Sequence, residues 1–212
     1  MYCIEFGHIM QPIQRVAVVG AGNMGSGIAQ KSAQEEFDVQ MVDRELQWVE
    51  RGQSIIANFL DEAVERRIFS PAQVEAIQGR ITGVVGVENT AENTDLVIEA
   101  VFEDMKIKQD VMKALDLAAP DAVLASNTSY LDIDLMAACL ADPSRLVGLH
   151  FFSPAHIMKL LEIVRGAATS DRSLATGYAL AKRLRKIPVE VGVCDGFVGN
   201  RMLQRVLSLI HI

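Results

Sequence analysis

Cysteine is scarce in this chain, and its placement excludes two kinds of site. The three cysteines, Cys3, Cys139 and Cys194, lie far apart in the sequence and are odd in number. They therefore lack the close spacing of zinc ligands and cannot form a complete set of disulfides. This usage fits a reducing compartment. We expect a cytoplasmic protein without a metal site, or one from an organelle if a transit peptide has been lost.

The chain also lacks a net positive charge and long apolar runs. The formal net charge at pH 7 is −7, which disfavours a general nucleic-acid-binding surface because such a surface needs a basic field. No apolar run approaches the roughly 20 residues of a membrane-spanning helix. Residues 1–14 also lack the basic start and apolar block of a signal peptide. We therefore expect no nucleic-acid partner and no membrane span.

What is present predicts a doubly wound α/β domain. Of the 212 residues, 50% are hydrophobic and 22% are charged, which is typical of a globular domain with a sizeable core. Short apolar runs alternate with segments of helical periodicity, and this alternation predicts a parallel sheet with helices on both faces. The predicted strands span residues 15–19, 39–43, 81–85, 96–100, 122–126, 146–151, 159–164 and 188–193. The predicted helices begin near residues 24 and 71 and span residues 46–67, 105–117, 132–141 and 171–185.

A glycine-rich turn after the first predicted strand carries the most informative motif. A β-branched apolar run stops at Gly20-x-Gly22-x-x-Gly25, and a helical pattern follows directly. In this order the three glycines allow a tight turn, the close approach of a pyrophosphate and close packing of helix on strand. The helix N-terminus adds free N–H groups and a partial positive charge, so the segment predicts a Rossmann-type dinucleotide site. The predicted phosphate-binding residues are Gly20, Gly22, Asn23, Met24 and Gly25.

An acid at the end of the second predicted strand indicates which dinucleotide binds. Asp43 follows Gly25 at close to the spacing of about 20 residues at which a carboxylate holds the ribose hydroxyls. A carboxylate repels a ribose phosphate, so NAD is favoured as the cofactor. Arg44, the next residue, could bind that phosphate and leaves NADP as the alternative.

Polar residues follow the later strands. Ser129 comes shortly after the fifth predicted strand, His150 lies near the end of the sixth, and Glu162 lies inside the seventh. Ligands of open parallel sheets sit at the carboxyl ends of the strands, so we expect Ser129 and His150 at the edge where a nicotinamide docks. Taken alone, each residue also fits a structural role, as a helix cap, a strand-end histidine or a charge on a strand edge.

Taken together, these segments resemble the 3-hydroxyacyl-CoA dehydrogenase family over residues 15–202. The sequence of residues 146–166 and 192–202 is most similar to the dehydrogenase part of bifunctional enzymes that also carry an enoyl-CoA hydratase domain. The resemblance implies NAD-dependent oxidation of an L-3-hydroxyacyl-CoA to the 3-ketoacyl-CoA, as in fatty-acid β-oxidation, and a homodimer for the intact protein. The matching motifs are the glycine turn, Asp43, Glu99-Ala100-Val101-Phe102-Glu103, Ser126-Asn127-Thr128-Ser129, His150-Phe151-Phe152-x-Pro154, Leu161-Glu162 and Gly196-Phe197-x-x-Asn200-Arg201.

The resemblance also implies roles for single residues. His150 is implied as the general base that takes the proton of the 3-hydroxyl, a task that suits the near-neutral pKa of an imidazole. Glu162 holds the imidazole in one tautomer and stabilises the imidazolium. Ser129 and Asn200 are implied to bond the reacting oxygen or the thioester side of the substrate. The other histidines, including His156, are expected at the surface.

Further residues are assigned to the two ligands by the same resemblance. Glu103, Lys108 and Ser129 are implied as cofactor contacts, as is Ser153, which stands where many members of the family carry Asn. Arg66 and Arg67 are implied to meet the phosphates of coenzyme A, although a basic helix end that complements the helix dipole explains them equally well.

The expected domain boundaries follow from the same comparison. Residues 1–14 read as a tail or linker, residues 15–194 as the NAD-binding domain and residues 195–206 as the start of a helical C-terminal domain. Residues 207–212 resemble the translation of a transposase-adaptor sequence and are expected to be non-native. In the family a complete helical domain closes the substrate cleft, so we expect this chain to bind NAD but to turn over substrate poorly.

Other functions remain open at this point. One is a related hydroxyacid dehydrogenase that acts on a sugar acid without coenzyme A, although the two phenylalanines after His150 favour an acyl-CoA. A second is a reductase of the 2-hydroxyacid type, which relies on a lysine base, so the pair of His150 and Glu162 argues against it. A third is a nucleotide-binding protein without catalytic activity.

Overall fold

The computed structural model describes residues 13–210 and has an eight-stranded sheet at its centre. The strands are β1 (Arg15–Val19), β2 (Asp38–Asp43), β3 (Ile81–Val85), β4 (Leu96–Glu99), β5 (Val123–Ser126), β6 (Leu146–Phe151), β7 (Leu160–Arg165) and β8 (Ile187–Gly192). The helices are α1 (Asn23–Gln34), α2 (Leu46–Glu65), α3 (Pro71–Gln78), α4 (Met105–Ala118), α5 (Ile133–Ala137), α6 (Asp171–Arg183) and α7 (Gly199–Ile210), with 3₁₀ turns at Val87–Asn89 and Pro143–Arg145.

The strand order confirms the predicted doubly wound fold and locates its ligand crevice. The order is β3-β2-β1-β4-β5-β6-β7-β8, and β1 to β6 run parallel to one another. The chain moves outward from β1 to β3 and then crosses back to β4 on the other side of β1. Open α/β sheets bind ligands at this point of reversal, outside the carboxyl ends of the strands.

The sheet departs from an all-parallel arrangement at β7. Residues 152–159 link β6 to β7 without a helix, and a parallel crossover needs a dozen or more residues. The chain therefore turns back, so β7 runs antiparallel to β6 and parallel to β8. This reversal places His150 directly opposite Glu162 in the register of the two strands.

The core forms two layers, one on each face of the sheet. Along β1, Val16 and Val18 belong to one apolar cluster and Ala17 and Val19 to the other, as expected when successive strand residues point to opposite faces. Helices α1, α2, α3 and α6 cover the first face, and α4 and α5 cover the second. None of the helices within residues 13–210 combines the length and apolarity needed to span a membrane.

Local chemistry explains where two of the helices begin and end. At α3 the Ser70 hydroxyl accepts the Gln73 N–H while the Gln73 side chain accepts the Ser70 N–H, so two of the free donors of the helix start are satisfied. Helix α5 ends at Ala137, earlier than the predicted residue 141. Beyond Ala137 the N–H groups of Cys139 and Leu140 donate to carbonyl oxygens three residues back, and the N–H of Ala141 donates to Asp116 Oδ2 at 2.7 Å.

The last helix stands apart from the two layers. All residues of α7 from 201 to 210 are exposed, including the apolar side chains of Met202, Leu203 and Leu209. The expected boundaries at residues 195 and 207 stay predictions, and residues 207–210 simply continue this helix. Most of the predicted tail 1–14, the end of the chain at 211–212, and Cys3 lie outside the described residues.

Candidate active site

Steric contacts explain two of the three glycines in the turn after β1. Gly20 has a φ of +103°, and a Cβ there would lie 2.7 Å from the carbonyl oxygen of Ala100. A Cβ on Gly25 would lie 1.7 Å from the carbonyl oxygen of Gly20, so the close packing of α1 on β1 excludes any side chain. A Cβ on Gly22 would meet no atom within 4 Å. Gly22 is thus open on the side from which a pyrophosphate can approach.

The start of α1 and the end of β2 complete this region. No side chain caps the N-terminus of α1, and Gly22 and Asn23 are exposed, so the first-turn N–H groups can serve phosphate oxygens. Asp43 Oδ2 accepts the N–H of Ala21 at 2.8 Å, and Oδ1 accepts the N–H of Arg44 at 2.7 Å. The carboxylate that the sequence assigns to the ribose is therefore held beside the glycine turn. These residues fit NAD.

His150 and Glu162 form a buried pair at the other end of the crevice. His150 Nδ1 lies 2.7 Å from Glu162 Oε2, and the side chains are 4% and 2% exposed. The register β1–β4–β5–β6 aligns Val19 with Gly148, so His150 lies beyond that row at the carboxyl edge that also carries the glycine turn. The structure brings together the two residues that the sequence predicts to act as a pair.

Aromatic rings and the start of α7 surround this pair. The rings of Phe152 and Phe197 lie 4.5 Å and 5.6 Å from the imidazole, centre to centre. Glu162 Oε1 accepts the backbone N–H groups of Val198 at 3.1 Å and Gly199 at 2.8 Å. Both carboxylate oxygens are therefore engaged. Phe197 belongs to a motif that carries the family resemblance, whereas the N–H groups of Val198 and Gly199 are backbone donors that no residue type in the sequence marks.

The loop that carries Ser129 is held by a carboxylate on the neighbouring loop. Glu103 Oε1 accepts the Thr128 hydroxyl at 2.6 Å, the Ser129 N–H at 2.8 Å and the Tyr130 N–H at 3.2 Å. Burial raises the pKa of Glu103, but the hydrogen bonds from Thr128 and Ser129 and the charge of Lys108 outweigh burial and hold that pKa below its usual value. Ser129 itself is half-buried at this edge of the sheet.

Lys108, which the resemblance assigns to the cofactor, forms a buried ion pair that the sequence did not predict. Glu99, at the end of β4, is fully buried, and its Oε1 lies 2.7 Å from the Nζ of the buried Lys108. The same Nζ lies 3.3 Å from Glu103 Oε2, and Glu99 Oε2 accepts the Ser126 hydroxyl at 2.6 Å. The sequence signal was a carboxylate ending the apolar strand β4 with a lysine nine positions later. Lys108 thus links Glu99 at the end of β4 to Glu103, whose carboxylate holds the loop after β5.

The remaining predicted site residues lie around the edge of this region. Ser153 is exposed just after β6, and Asn200 is half-buried in the first turn of α7. Arg66 and Arg67 are exposed at the end of α2, where Arg66 lies 3.4 Å from Glu62. Within residues 13–210, no group of three or more His, Cys, Asp or Glu side chains could hold a metal ion.

His156 is not the surface residue that was expected. Its ring lies 4.7 Å from that of Phe59 in α2, and the side chain is half-buried. Burial, together with the charges of Lys186 and Lys31, lowers the pKa of His156. Lys186 is itself buried, and its Nζ donates to the carbonyl oxygens of Ala155 and Met158 at 2.7 Å. Lys186 therefore anchors the loop after His150 through the carbonyl oxygens of Ala155 and Met158.

Comparison with known sequences identifies the family of this domain. Residues 15–194 match the sequence model described as 3-hydroxyacyl-CoA dehydrogenase, NAD binding domain. The fatty acid oxidation complex subunit alpha of Psychrobacter sp. (strain PRwf-1) is 41% identical over 192 residues, which cover 90% of this chain and 27% of that protein. The peroxisomal bifunctional enzyme of Danio rerio is 41% identical over 197 residues, with 92% and 27% covered. The chain thus spans about 27% of the length of these relatives.

Solved structures agree with this comparison. The FadB2 protein of M. tuberculosis matches with a TM-score of 0.91 and 36% identity, over 95% of this chain and 72% of that chain. The 3-hydroxybutyryl-CoA dehydrogenase of Escherichia coli K12 matches with a TM-score of 0.90 and 32% identity, over 94% of this chain and 42% of that chain.

Proposed function

This chain belongs to the 3-hydroxyacyl-CoA dehydrogenase family, and from that membership we propose that the protein oxidises an L-3-hydroxyacyl-CoA to the 3-ketoacyl-CoA, as in fatty-acid β-oxidation. The matched region is the NAD-binding domain of the family, and NAD is the cofactor. The observation that carries the proposal is the 2.7 Å contact between the buried side chains of His150 and Glu162, at the same sheet edge as the glycine turn.

His150 acts as the general base in this proposal. Its Nδ1–H donates to Glu162 Oε2, which leaves the lone pair of Nε2 for the proton of the substrate 3-hydroxyl. As that O–H bond breaks, the carbonyl forms at C3 and the positive charge on the imidazole is stabilised by the buried carboxylate. NAD, when bound, supplies the nicotinamide ring that accepts the hydride from C3.

We assign the cofactor contacts by region. The turn formed by Gly20, Gly22, Asn23, Met24 and Gly25 holds the pyrophosphate, and Asp43 holds the adenosine ribose. Ser129, Ser153 and Glu103 serve the nicotinamide half. Lys108 is 1% exposed, so we propose that it serves the cofactor by holding Glu103 in place. Ser129 and Asn200 bond the reacting oxygen or the thioester side of the substrate.

The partners follow from the same reaction. The substrate is a coenzyme A thioester, and we propose that Arg66 and Arg67 meet its phosphates. Support comes from α2, whose Phe59 contacts His156 in the loop after β6, so the helix leads from that loop toward the two arginines. We further propose that the intact protein is a cytoplasmic homodimer, and that the exposed apolar side chains of α7 are covered there by further chain or by the partner subunit.

Two measurements test this proposal. We expect calorimetry to detect NAD binding to this chain, and we expect slow formation of reduced nicotinamide from L-3-hydroxybutyryl-CoA, since the apolar side chains of α7 beside His150 and Glu162 are exposed to water. Turnover of an L-3-hydroxyacyl-CoA at the rate of a complete family member would contradict the expectation of a poorly active chain. Faster reduction of NAD by a sugar acid in a direct competition would favour the hydroxyacid dehydrogenase alternative.

A further inference from the structure

The two oxygens of Glu162 face different parts of the molecule. Oε2 lies 2.7 Å from Nδ1 of His150, on the neighbouring strand. Oε1 accepts the backbone N–H groups of Val198 and Gly199, which belong to the turn that begins α7. A single buried carboxylate thus links the imidazole to the first residues beyond the sheet.

We propose that the turn 196–199 is a positioning element for His150, because its two N–H groups hold one oxygen of Glu162 and so fix which atom of residue 162 faces the imidazole. With glutamate at 162 that atom is an acceptor, and the imidazole carries its proton on Nδ1. The catalytic meaning of this tautomer rests on the function proposed above. The positioning itself is a property of the folded chain and can be measured without a substrate.

The hydrogen-bond chemistry at Oε1 supports this assignment. Two backbone N–H donors converge on that partly buried position, so an acceptor atom there satisfies both, whereas a donor atom would leave both without this partner. In glutamate both oxygens are acceptors, so Oε2 necessarily presents an acceptor to His150. The imidazole must then carry its proton on Nδ1 and keep Nε2 free.

The backbone of the turn is held in an unusual shape that aims these donors. Gly196 and Phe197 both have positive φ values, +69° and +48°. A bulky residue in this region stores strain that its surroundings must hold, and Phe197 is only 1% exposed. Gly196 adopts its positive φ without strain, whereas Phe197 is held in place by its burial and by its contact with the imidazole of His150.

Gly199 connects the same turn to the aromatic wall of the site. A Cβ at Gly199 would lie 2.6 Å from Cζ of Phe152, closer than real Cβ contacts allow. The Phe152 ring lies 4.5 Å from the imidazole of His150. Glycine at 199 thus lets the N–H reach Glu162 while Phe152 stays against His150, and both contacts restrict the orientation of the ring.

Replacing the carboxylate by an amide gives a direct test. In Glu162→Gln, the amide oxygen must occupy the position between Val198 and Gly199, so the NH₂ group faces His150. The imidazole must then accept at Nδ1 and carry its proton on Nε2. Long-range ¹H–¹⁵N NMR of the neutral imidazole distinguishes the tautomers, with a His150→Gln variant to identify the resonances. Glu190→Gln, on β8, is the matched control and should leave the tautomer unchanged.

The outcomes separate this proposal from the proposed function. A change from Nδ1–H in the original chain to Nε2–H in Glu162→Gln, with Glu190→Gln unchanged, supports the positioning role even if no 3-hydroxyacyl-CoA is oxidised. Retention of Nδ1–H in Glu162→Gln overturns it, because the amide would then have turned against the two N–H donors.

A second variant keeps the test decisive if the amide variant does not fold. Gly199→Ala should displace Phe152, shift the ring-proton resonances of His150 and lower kcat by roughly 10- to 100-fold, while leaving KM for NAD within about twofold. The control is Gly192→Ala, where a Cβ would meet no atom within 4 Å. Identical His150 spectra for the two alanine variants would overturn the proposal.

Discussion

The glycine turn after β1 and the paired strands β6 and β7 form the two ends of the site, and they are built in opposite ways. The turn uses consecutive residues and backbone atoms, with glycines required by contacts as short as 1.7 Å between a Cβ on Gly25 and the oxygen of Gly20. The pair of His150 and Glu162 uses side chains from antiparallel strands, completed by backbone N–H groups near residue 199. The proposed cofactor site is thus built by local sequence, whereas the position of the proposed base depends on tertiary structure.

The largest effect is expected at Lys108, whose partner Glu99 ends β4, between the two ends of the site in the sheet. Lys108→Met leaves the carboxylate of Glu99 buried without its 2.7 Å partner, which should lower the free energy of unfolding by about 3–5 kcal/mol. Urea unfolding followed by circular dichroism measures it. Lys106→Met, at a side chain that is 85% exposed, should change stability by less than about 0.5 kcal/mol. Equal losses in the two variants would show that the buried pair does not hold the loops.

Gly22 and Gly25 lie three positions apart in the glycine turn, and the same substitution should affect them differently. Gly25→Ala places a Cβ against a backbone oxygen that cannot move aside, so we expect a loss of about 3 kcal/mol in stability. Gly22→Ala meets no protein atom and should fold normally but bind NAD at least tenfold more weakly, since the methyl group occupies the path of the pyrophosphate. Denaturant melts and calorimetry of both variants give the answer. Unchanged NAD affinity in Gly22→Ala would place the pyrophosphate elsewhere.

The glycine turn and Asp43 could be predicted from the sequence because their spacing along the chain identifies them. The order of strand, glycines, helix and acid located Gly22 and Asp43, and the bounds of β1, β3 and β6 match the prediction. For β6 and β7, the sequence identified the polar side chains of His150 and Glu162 but not how the two strands place them relative to each other. The short link 152–159 was the available sign that β7 turns back on β6.

Other features left little or no trace in residue type. The N–H groups that bind Glu162 belong to Val198 and Gly199, and every residue except proline carries such a donor. Just beyond the end of α5, a side chain of α4, Asp116, accepts the N–H of Ala141. Such contacts join segments far apart in the sequence, so periodicity and spacing carry no information about them.

A smaller effect is expected at Lys186, which anchors the loop after His150. Burial and the charge of Lys31 lower the pKa of Lys186 from 10.5 to about 8. Between these pH values the unfolded chain binds more protons than the folded chain, so this group should raise the free energy of unfolding with increasing pH, by at most about 3 kcal/mol. Below pH 8 that contribution is lost. Urea melts of the original chain and of Lys186→Met should differ in this slope, and parallel pH profiles would contradict it.

The smallest effect is expected at the end of α2. Arg66 is exposed and lies 3.4 Å from Glu62, so its loss should change stability by less than about 0.5 kcal/mol. If Arg66 meets a phosphate of coenzyme A, Arg66→Ala should raise KM for the acyl-CoA roughly two- to fivefold and leave KM for NAD unchanged. Steady-state kinetics with each substrate varied in turn decides between this contact and a purely helix-capping role, for which neither KM would move.

The role of His150 as the base is tested most directly by comparing His150→Gln with the original chain in NAD binding and in oxidation of an L-3-hydroxyacyl-CoA. Loss of the base should slow formation of reduced nicotinamide by at least roughly 10²-fold, while the Kd for NAD stays within about twofold because the glycine turn and Asp43 are untouched. Oxidation at an unchanged rate in His150→Gln would contradict the assignment of this histidine as the group that takes the substrate proton.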